Sequence, residues 1–238
     1  MKHIFSLVIL IGLLTQANAQ ELVYDANAEV RTVAAFDHIK VNGAIAIFLS
    51  QGNEQAVAIS SEDGKYNNKI ETEVRNGELR IFVESGNWNN WNWGNKSLKA
   101  YVTVTDLNGL DINGASSCKI TGLLKVEDLE IEISGASVVK GEIAAESLSF
   151  SLSGASVAEV KGTTTDLTVA ASGASGFRGF ELGSETADVT ASGASGISVN
   201  ASKELKASAS GVSNIGYKGG AVIRDLDVGG GSSLKKKD

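Results

Sequence analysis

Proline is absent from this chain of 238 residues, and cysteine occurs only once, as Cys118. A residue without an N–H cannot donate to a neighbouring strand, so the lack of proline fits a chain whose segments mostly pair on both sides. One cysteine excludes an internal disulfide, which leaves packing and backbone pairing to hold the fold together. We expect the thiol to be buried and unreactive, because it falls in an apolar column described below.

Long apolar runs are also missing. Residues 4–14 form the longest one, about half of the ~20 residues needed to span a bilayer. Lys2 precedes this run and Ala-Asn-Ala follows it at residues 17–19, which is the pattern of a cleaved signal peptide covering residues 1–19. The sequence therefore predicts an exported chain without a transmembrane segment, located in the periplasm, on the outer-membrane surface or outside the cell.

Positive charge is in deficit, since the formal net charge is -7. The three lysines at residues 235–237 are too few to reverse this sign. An acidic chain repels the phosphate backbone, so we predict no nucleic-acid partner.

A short unit, Gly-Ala-Ser or Gly-Val-Ser, recurs six times at intervals of 18 to 21 residues. A period near 20 residues is typical of a solenoid, in which each repeat stacks on its neighbour. Small residues at a stacked corner let the coils approach closely, and glycine adopts backbone angles closed to other residues. The predicted structural corner ladder consists of Gly114, Ser116, Gly135, Ser137, Gly154, Ser156, Gly173, Ser175, Gly193, Ser195, Gly211 and Ser213.

Apolar and polar residues alternate before the last five of these glycines, as Leu129, Ile131 and Ile133 do before Gly135. This period of two is typical of a strand with one buried face. A second apolar column lies four residues after each glycine, at Cys118, Val139, Ala158, Phe177, Ile197 and Ile215. We therefore predict an all-β fold, a single-stranded parallel β-helix with coils of about 20 residues. An antiparallel β-sandwich is the alternative, but it does not explain why one corner recurs at a fixed interval.

The serines of the ladder are poor candidates for catalysis. Six equivalent hydroxyls cannot all be nucleophiles, and His38 is the one histidine after residue 19 that could serve as a base. We expect these hydroxyls to hydrogen-bond along the stack or to their own backbone.

A tryptophan-rich segment stands out at residues 85–97, between two predicted strands. Tryptophan faces stack on sugar rings and asparagine amides bond to sugar hydroxyls, so this segment could contact a glycan. The alternative is that its indole rings cover apolar surface or form an oligomer contact. The candidate contact residues are Trp88, Asn89, Asn90, Trp91 and Trp93.

Together with the corner ladder, three stretches resemble one bacterial family: FDHIKVNGAIAIFLSQG at residues 36–52, KIETEVRNGELRIFV at 69–83 and LKAYVTV at 98–104. The family is the "putative auto-transporter adhesin, head GIN domain" family. The resemblance implies an exported β-helical domain of a Gram-negative envelope without an established chemistry. It places a single GIN-type β-helix domain at residues 36–228, after a leader at 20–35 and before a flexible Gly/Ser/Lys tail at 229–238. Ile45 replaces the ladder serine in the first unit, so the N-terminal coils should be built differently.

Motifs for metal, phosphate, nucleotide or nucleophilic chemistry are absent from the sequence. We therefore predict a non-enzymatic envelope or surface module without cofactors, adhesin-like, which binds an unidentified protein or glycan and could form a homo-oligomer. A carbohydrate-binding protein that uses the tryptophan-rich segment is the first alternative. A β-helix enzyme that degrades polysaccharides is the second.

Overall fold

The structure, a computed structural model, describes residues 25–83 and 97–238, and for Asp63 the backbone alone. Within these ranges the chain forms seventeen strands and two short 3-10 helices, Glu62–Gly64 and Asn67–Lys69, and no α-helix. The strands are β1 Glu29–Arg31, β2 His38–Gly43, β3 Ile45–Gln51, β4 Ala56–Ser60, β5 Ile70–Arg75, β6 Glu78–Val83, β7 Leu98–Val104, β8 Gly109–Gly114, β9 Ser117–Lys125, β10 Asp128–Ile133, β11 Val138–Leu152, β12 Val157–Ala171, β13 Gly176–Ala191, β14 Gly196–Ala209, β15 Asn214–Lys218, β16 Val222–Val228 and β17 Ser233–Lys236.

These strands stack in two parallel rows, one on each side of the Gly-Ala-Ser corners. The pre-corner row runs β6, β2, β8, β10, then the second halves of β11 to β14, and ends with β16. The post-corner row runs β7, β3, β9, then the first halves of β11 to β14, and ends with β15 and β17. The predicted parallel β-helix is confirmed, and the sandwich alternative is not needed.

The N-terminal coils do not follow the chain order. Strand β2 pairs on one side with β6 and on the other with β8, so that His38 lies between Glu78 and Gly109. Strand β3 lies in the same way between β7 and β9. The coil made by β2 and β3 is thus inserted between two coils that come later in the sequence.

Antiparallel strands close the N-terminal end of the solenoid. Strand β5 pairs antiparallel with β6, and β4 pairs antiparallel with β7 and carries β1 on its other edge. Strand β1 falls in the segment assigned to the leader, and Arg31 donates to the Asn67 carbonyl at 3.0 Å. This end is therefore built from strands that break the parallel repeat.

Inward-pointing residues of every coil form one continuous apolar core. Phe150 and Phe177 are the largest fully buried side chains in it, each 1% exposed, and their ring centroids lie 4.9 Å apart. Toward the C-terminus the column that holds Phe150 continues with smaller residues, Val169, Val189 and Ala207. The alternation seen in the sequence matches the burial along these strands, because successive strand residues point to opposite faces.

The corners stack through backbone contacts. Each corner glycine has a positive φ, for example +72° at Gly173, which favours glycine because it lacks a Cβ. The residue after each glycine donates its N–H to the glycine carbonyl one coil below; the Ala174 N–H reaches Gly154 at 2.8 Å. A Cβ on Gly173 would lie 2.6 Å from that same carbonyl oxygen. The corners can therefore stack only if this position has no side chain.

Corner serines are buried and bonded to the coil below. Ser195 donates from its Oγ to the Ala171 carbonyl at 3.1 Å, and Ser213 donates to Ala191 at 3.2 Å. Ser137 instead accepts from the Ser116 N–H at 3.3 Å. Their hydroxyls thus satisfy backbone groups that lie at the edge of the sheet pairing.

Residues 229–238 do not form the flexible tail expected from their composition. Gly230 has a φ of +68°, and the Gly231 N–H donates to the Gly211 carbonyl at 2.8 Å, as in the other corners. Strand β17 follows and pairs with β15. Gly-Gly-Ser meets the same steric requirement as Gly-Ala-Ser, because both lack bulk at the corner, so this segment makes one more coil.

A partly buried ion cluster ties the N-terminal segment to β7. Asp25, whose side chain is 11% exposed, accepts from the Tyr101 hydroxyl at 2.8 Å and lies 3.4 Å from Lys99 Nζ. Burial opposes ionisation, but the hydrogen bonds from Tyr101 and the Asn27 N–H prevail and lower the pKa of Asp25 from 3.8 to about 2. The ionised carboxylate therefore stabilises the fold above its unfolded pKa.

We expect Asp25→Asn to lose about 2 kcal/mol of unfolding free energy at neutral pH. A carboxylate with a lowered pKa contributes fully above pH 3.8 and loses its contribution as the pH falls through about 2. Denaturant unfolding over this range should bring variant and parent together at the acidic end. The exposed Glu54→Gln variant is the control, and a difference between Asp25→Asn and the parent that does not change with pH would contradict the assignment.

Cys118 lies in the inward column and is 2% exposed, which confirms its predicted burial. Burial in the apolar core raises the pKa of the thiol to about 12. We expect a thiol reagent to label the native protein very slowly and the denatured protein at once, because the thiolate is the reactive form. Rapid labelling without denaturant would contradict this.

Candidate functional site

A groove of about 570 Å³ crosses the outer surface of the post-corner row. Four strands, β11 to β14, form its floor and walls. We call it the side groove, and it is lined by Lys140, Gly141, Glu159, Val160, Lys161, Arg178, Phe180, Glu181 and Ser198.

One wall of the side groove is a column of aligned outward residues. Lys140, Glu159, Arg178 and Ser198 pair in register from one coil to the next. Neighbouring strands are about 4.8 Å apart, so charged groups recur at that spacing along the solenoid. Lys140 Nζ lies 2.8 Å and Arg178 Nη1 3.6 Å from the Glu159 carboxylate.

The opposite wall carries a second ion pair. Lys161 pairs in register with Glu142 on one side and Glu181 on the other, and its Nζ lies 3.1 Å from Glu142. The lining thus holds three cations and two carboxylates, in a chain whose net charge is -7. An anionic group would find three cations here, each of which lies next to a carboxylate.

A β-bulge turns an aromatic ring toward this groove. Gly179 and Phe180 both lie opposite Val160, so β13 has one residue more than β12 at this point. Bulges of this kind redirect a side chain. A Cβ on Gly179 would lie 2.4 Å from the Phe177 ring, so the bulge needs a glycine there. Phe180 is half-buried, and Lys218 Nζ lies 5.1 Å from the centroid of its ring.

The neighbouring cations keep the Glu159 carboxyl group of the side groove ionised. The hydrogen bond from Lys140 is the main reason that the pKa of Glu159 lies below its ordinary value, and Arg178 adds to it. Lys140, Glu159 and Arg178 all remain about half exposed or more. The site can thus exchange its internal ion pairs for pairs with a ligand, while Phe180 supplies an apolar face.

A second groove, of about 440 Å³, lies on the N-terminal coils next to Val83. It includes Lys40, whose Nζ donates to Asp111 at 2.8 Å. This hydrogen bond raises the pKa of Lys40. Val83, which lines this groove, is the last described residue before residue 97.

The structure does not bring the residues predicted from the sequence into the side groove. The five candidate contact residues of the tryptophan-rich segment, from Trp88 to Trp93, lie outside the described residues. The corner ladder lies on the solenoid but contributes nothing to the side groove. Within residues 25–83 and 97–238, no three His, Cys, Asp or Glu residues come together as a metal site. No helix in these ranges is long and apolar enough to cross a membrane.

Sequence reasoning missed the side groove. Lys140, Glu159 and Arg178 each directly follow a residue of the second apolar column, so their alignment was available from the spacing. That they share one surface follows only from the register between β11, β12 and β13.

Comparisons with known proteins agree with the fold. A "putative adhesin" from Bacteroides fragilis NCTC 9343 has a TM-score of 0.81 and 21% identity, covering 88% of this chain and 96% of that one. A "putative lipid binding protein" from Parabacteroides distasonis ATCC 8503 has a TM-score of 0.63 and 23% identity, covering 90% and 98%. A "putative adhesin" from Parabacteroides merdae ATCC 43184 has a TM-score of 0.62 and 14% identity, covering 89% and 95%.

No curated protein matches the chain. The model of one family matches residues 35–221, well over half of the chain. The resemblance found in the sequence is thereby confirmed, and the chain belongs to the family described as "Putative auto-transporter adhesin, head GIN domain".

Proposed function

We propose that the protein is a non-enzymatic, adhesin-like surface module that binds an acidic glycan of the cell envelope in the side groove. The observation that carries the proposal is the bulge that turns Phe180 toward the wall that holds Lys140, Glu159 and Arg178. Aromatic faces stack on sugar rings, and Arg and Lys pair with carboxylate or sulfate groups. The family's description as adhesins supports the surface role.

A polymer suits this groove because the cationic groups that line it recur along the solenoid. Lys140 and Arg178 lie two strands apart, roughly 10 Å, which is about the length of a disaccharide unit. Five of the nine lining residues are charged, and an acyl chain would take water away from these charges, although one neighbour of similar fold is described as lipid binding. Binding to a lipid vesicle instead of a glycan would therefore count against the proposal.

The lowered pKa of Glu159 makes this carboxyl group unsuitable as the general acid of a glycosidase. A glycosidase needs one carboxyl group with a raised pKa to protonate the leaving oxygen. Lys140 instead lowers the pKa of Glu159 and so keeps this carboxyl group ionised. The polysaccharide enzyme considered from the sequence is thus the weaker alternative.

The tryptophan-rich segment remains a second candidate for carbohydrate contact. In the sequence it connects β6, whose last residue Val83 lines the second groove, to β7. Replacing Trp88, Trp91 and Trp93 together by Ala should abolish glycan binding if this segment is the site. The same variant should bind like the parent if the side groove is the site.

A glycan array, followed by titration calorimetry with the best acidic ligand, tests the side groove. We expect Arg178→Ala and Phe180→Ala each to weaken binding about tenfold or more, because cation and aromatic anchors dominate such contacts. Lys203→Ala is the matched control, since Lys203 forms an equally exposed ion pair, with Glu185, outside the groove. Failure of all acidic glycans to bind, or equal affinity of all three variants, would contradict the proposal.

A further inference from the structure

The outward column that forms one wall of the side groove continues past the groove toward the N-terminal coils. Strands β9, β3 and β7 follow β11 in the stack, and each places one outward residue in line with Lys140. From β7 to β13 the column consists of Tyr101, Phe48, Lys119, Lys140, Glu159 and Arg178. It thus holds three cations and one carboxylate, in a chain whose net charge is -7.

Lys119 is exposed and has no acidic neighbour in this column. The residues in register with it are Phe48 on β3 and Lys140 on β11. Lys140 Nζ lies 2.8 Å from Glu159 on its other side, whereas Lys119 forms no ion pair within residues 25–83 and 97–238. Like charges in register on adjacent strands repel each other. An anion bound between the two lysines would remove this repulsion.

Phe48 and Tyr101 form a stacked aromatic pair beside Lys119. Their ring centroids lie 5.2 Å apart, and their ring planes differ by 21°. The Tyr101 hydroxyl donates to Asp25 at 2.8 Å, which holds the pair in place. Both side chains remain partly exposed. The pair therefore offers a fixed apolar surface on which a sugar ring can stack.

Hydroxyl groups lie along one side of this aromatic pair. Thr103, Ser50 and Thr121 are two positions further along β7, β3 and β9, on the same outward face and in register with one another. Ser50 Oγ lies 3.1 Å from Thr103 Oγ1, and all three side chains are partly exposed. Hydroxyls both donate and accept, so these groups can bond the hydroxyls of a stacked sugar.

We propose that the side groove is one end of a longer binding track, on which an acidic polysaccharide of uronate units runs along the solenoid as far as Phe48 and Tyr101. The inference rests on the proposed function, because Lys140 and Arg178 belong to both. Tyr101 and Arg178 are five strand spacings apart, roughly 24 Å, which is about the length of five sugar units. Each uronate unit carries a carboxylate, and this suits Lys119 and Lys140, whose strands are about 4.8 Å apart.

Titration calorimetry with oligogalacturonates of two to eight units tests the length of the track. In the parent, affinity should rise at least about tenfold from the dimer to the hexamer and then level off, because shorter chains leave part of the track empty. Lys119→Glu and Phe48→Ala should each remove most of this gain. Binding of the dimer should change little in both variants and should depend on Arg178, because the dimer fills the side groove.

Lys125→Glu is the matched control for charge. It makes the same substitution at the exposed end of β9, outside the column, and should keep the gain from longer chains. Thermal melting checks the fold of each variant. Lys119→Glu should be at least as stable as the parent, since a carboxylate next to Lys140 replaces repulsion by attraction.

The possible results distinguish failure of the track from failure of the side groove. Dimer binding that depends on Arg178, with a gain from length that is absent or survives both Lys119→Glu and Phe48→Ala, would overturn the track and leave the side groove as the whole site. Failure of every oligogalacturonate to bind would also overturn the track, while the side groove would still be judged with the other acidic glycans. Equal losses in Lys119→Glu and Lys125→Glu would mean that overall charge, and not this column, sets the affinity, which would overturn the track too.

Discussion

Gly173→Ala is expected to lower the free energy of unfolding by about 3 kcal/mol or more. Two costs add at this corner. Its φ of +72° is unfavourable for any residue with a Cβ, and that Cβ would lie 2.6 Å from the Gly154 carbonyl oxygen. The neighbour is backbone held by the Ala174 N–H, so it cannot move aside without breaking the stack. Chemical denaturation followed by circular dichroism measures the loss.

Two other glycines distinguish the cost of the positive φ from the cost of the contact with the neighbouring corner. Gly122 has a φ of +77° but no atom within 4 Å of the position that a Cβ would occupy, so Gly122→Ala should lose only about 1 kcal/mol. Gly196 has neither a positive φ nor a close neighbour, and Gly196→Ala should leave stability nearly unchanged. If Gly173→Ala and Gly122→Ala were equally destabilised, contact between corners would contribute nothing.

Phe177→Ala should cost about 3–5 kcal/mol, which corresponds to a fall in Tm of about 10 °C. The ring is 1% exposed and packs on Phe150 at 4.9 Å, and neighbouring coils cannot collapse into the space it leaves. Both the lost transfer free energy of the ring and the cavity that remains lower the free energy of unfolding. Calorimetry or a thermal melt checks the result.

Phe180→Ala on the same strand is the matched control. Phe180 is half-buried at the surface, so its removal should change the melting temperature little while it weakens ligand binding. Equal destabilisation by both substitutions would mean that Phe180 belongs to the core and not to the side groove.

The repeat and its core were predictable because one requirement recurs in every coil. At Gly154, for example, a positive φ and a close carbonyl both exclude a side chain, so the position shows in the sequence as an unvarying residue. The apolar columns show for a similar reason, since every strand buries the same face. Because these requirements recur at six corners, the sequence shows a clear period.

The order of the N-terminal coils could not be predicted in this way. Ile39 and Val41 indicate a strand with one buried face, but this pattern does not say which strands pair with it. The partners of β2 come 40 and 71 residues later, at Glu78 and Gly109 for His38. Pairing at such distances depends on the whole stack.

The sequence carries only a weak signal for the side groove, namely one extra residue in a repeat. The interval from Gly173 to Gly193 is 20 residues, one more than the interval before it, and the extra residue lies in the bulge at Gly179 and Phe180. An uneven interval was therefore the signal. Its meaning depends on which side chain the bulge redirects, and this requires the register between β12 and β13.

The inserted β2–β3 coil has a consequence for the order in which the chain folds. Coils from β10 to β14 contact neighbours about 20 residues away, so little loop entropy opposes their pairing. Among the strands of the two parallel rows, β2 and β3 are synthesised first, yet they acquire both neighbours only after β8 and β9 exist. The chain therefore cannot wind up coil by coil from its N-terminus as it emerges. Nucleation is favoured in the later repeats, and the earliest strands remain without their full set of partners until more than a hundred residues have been made.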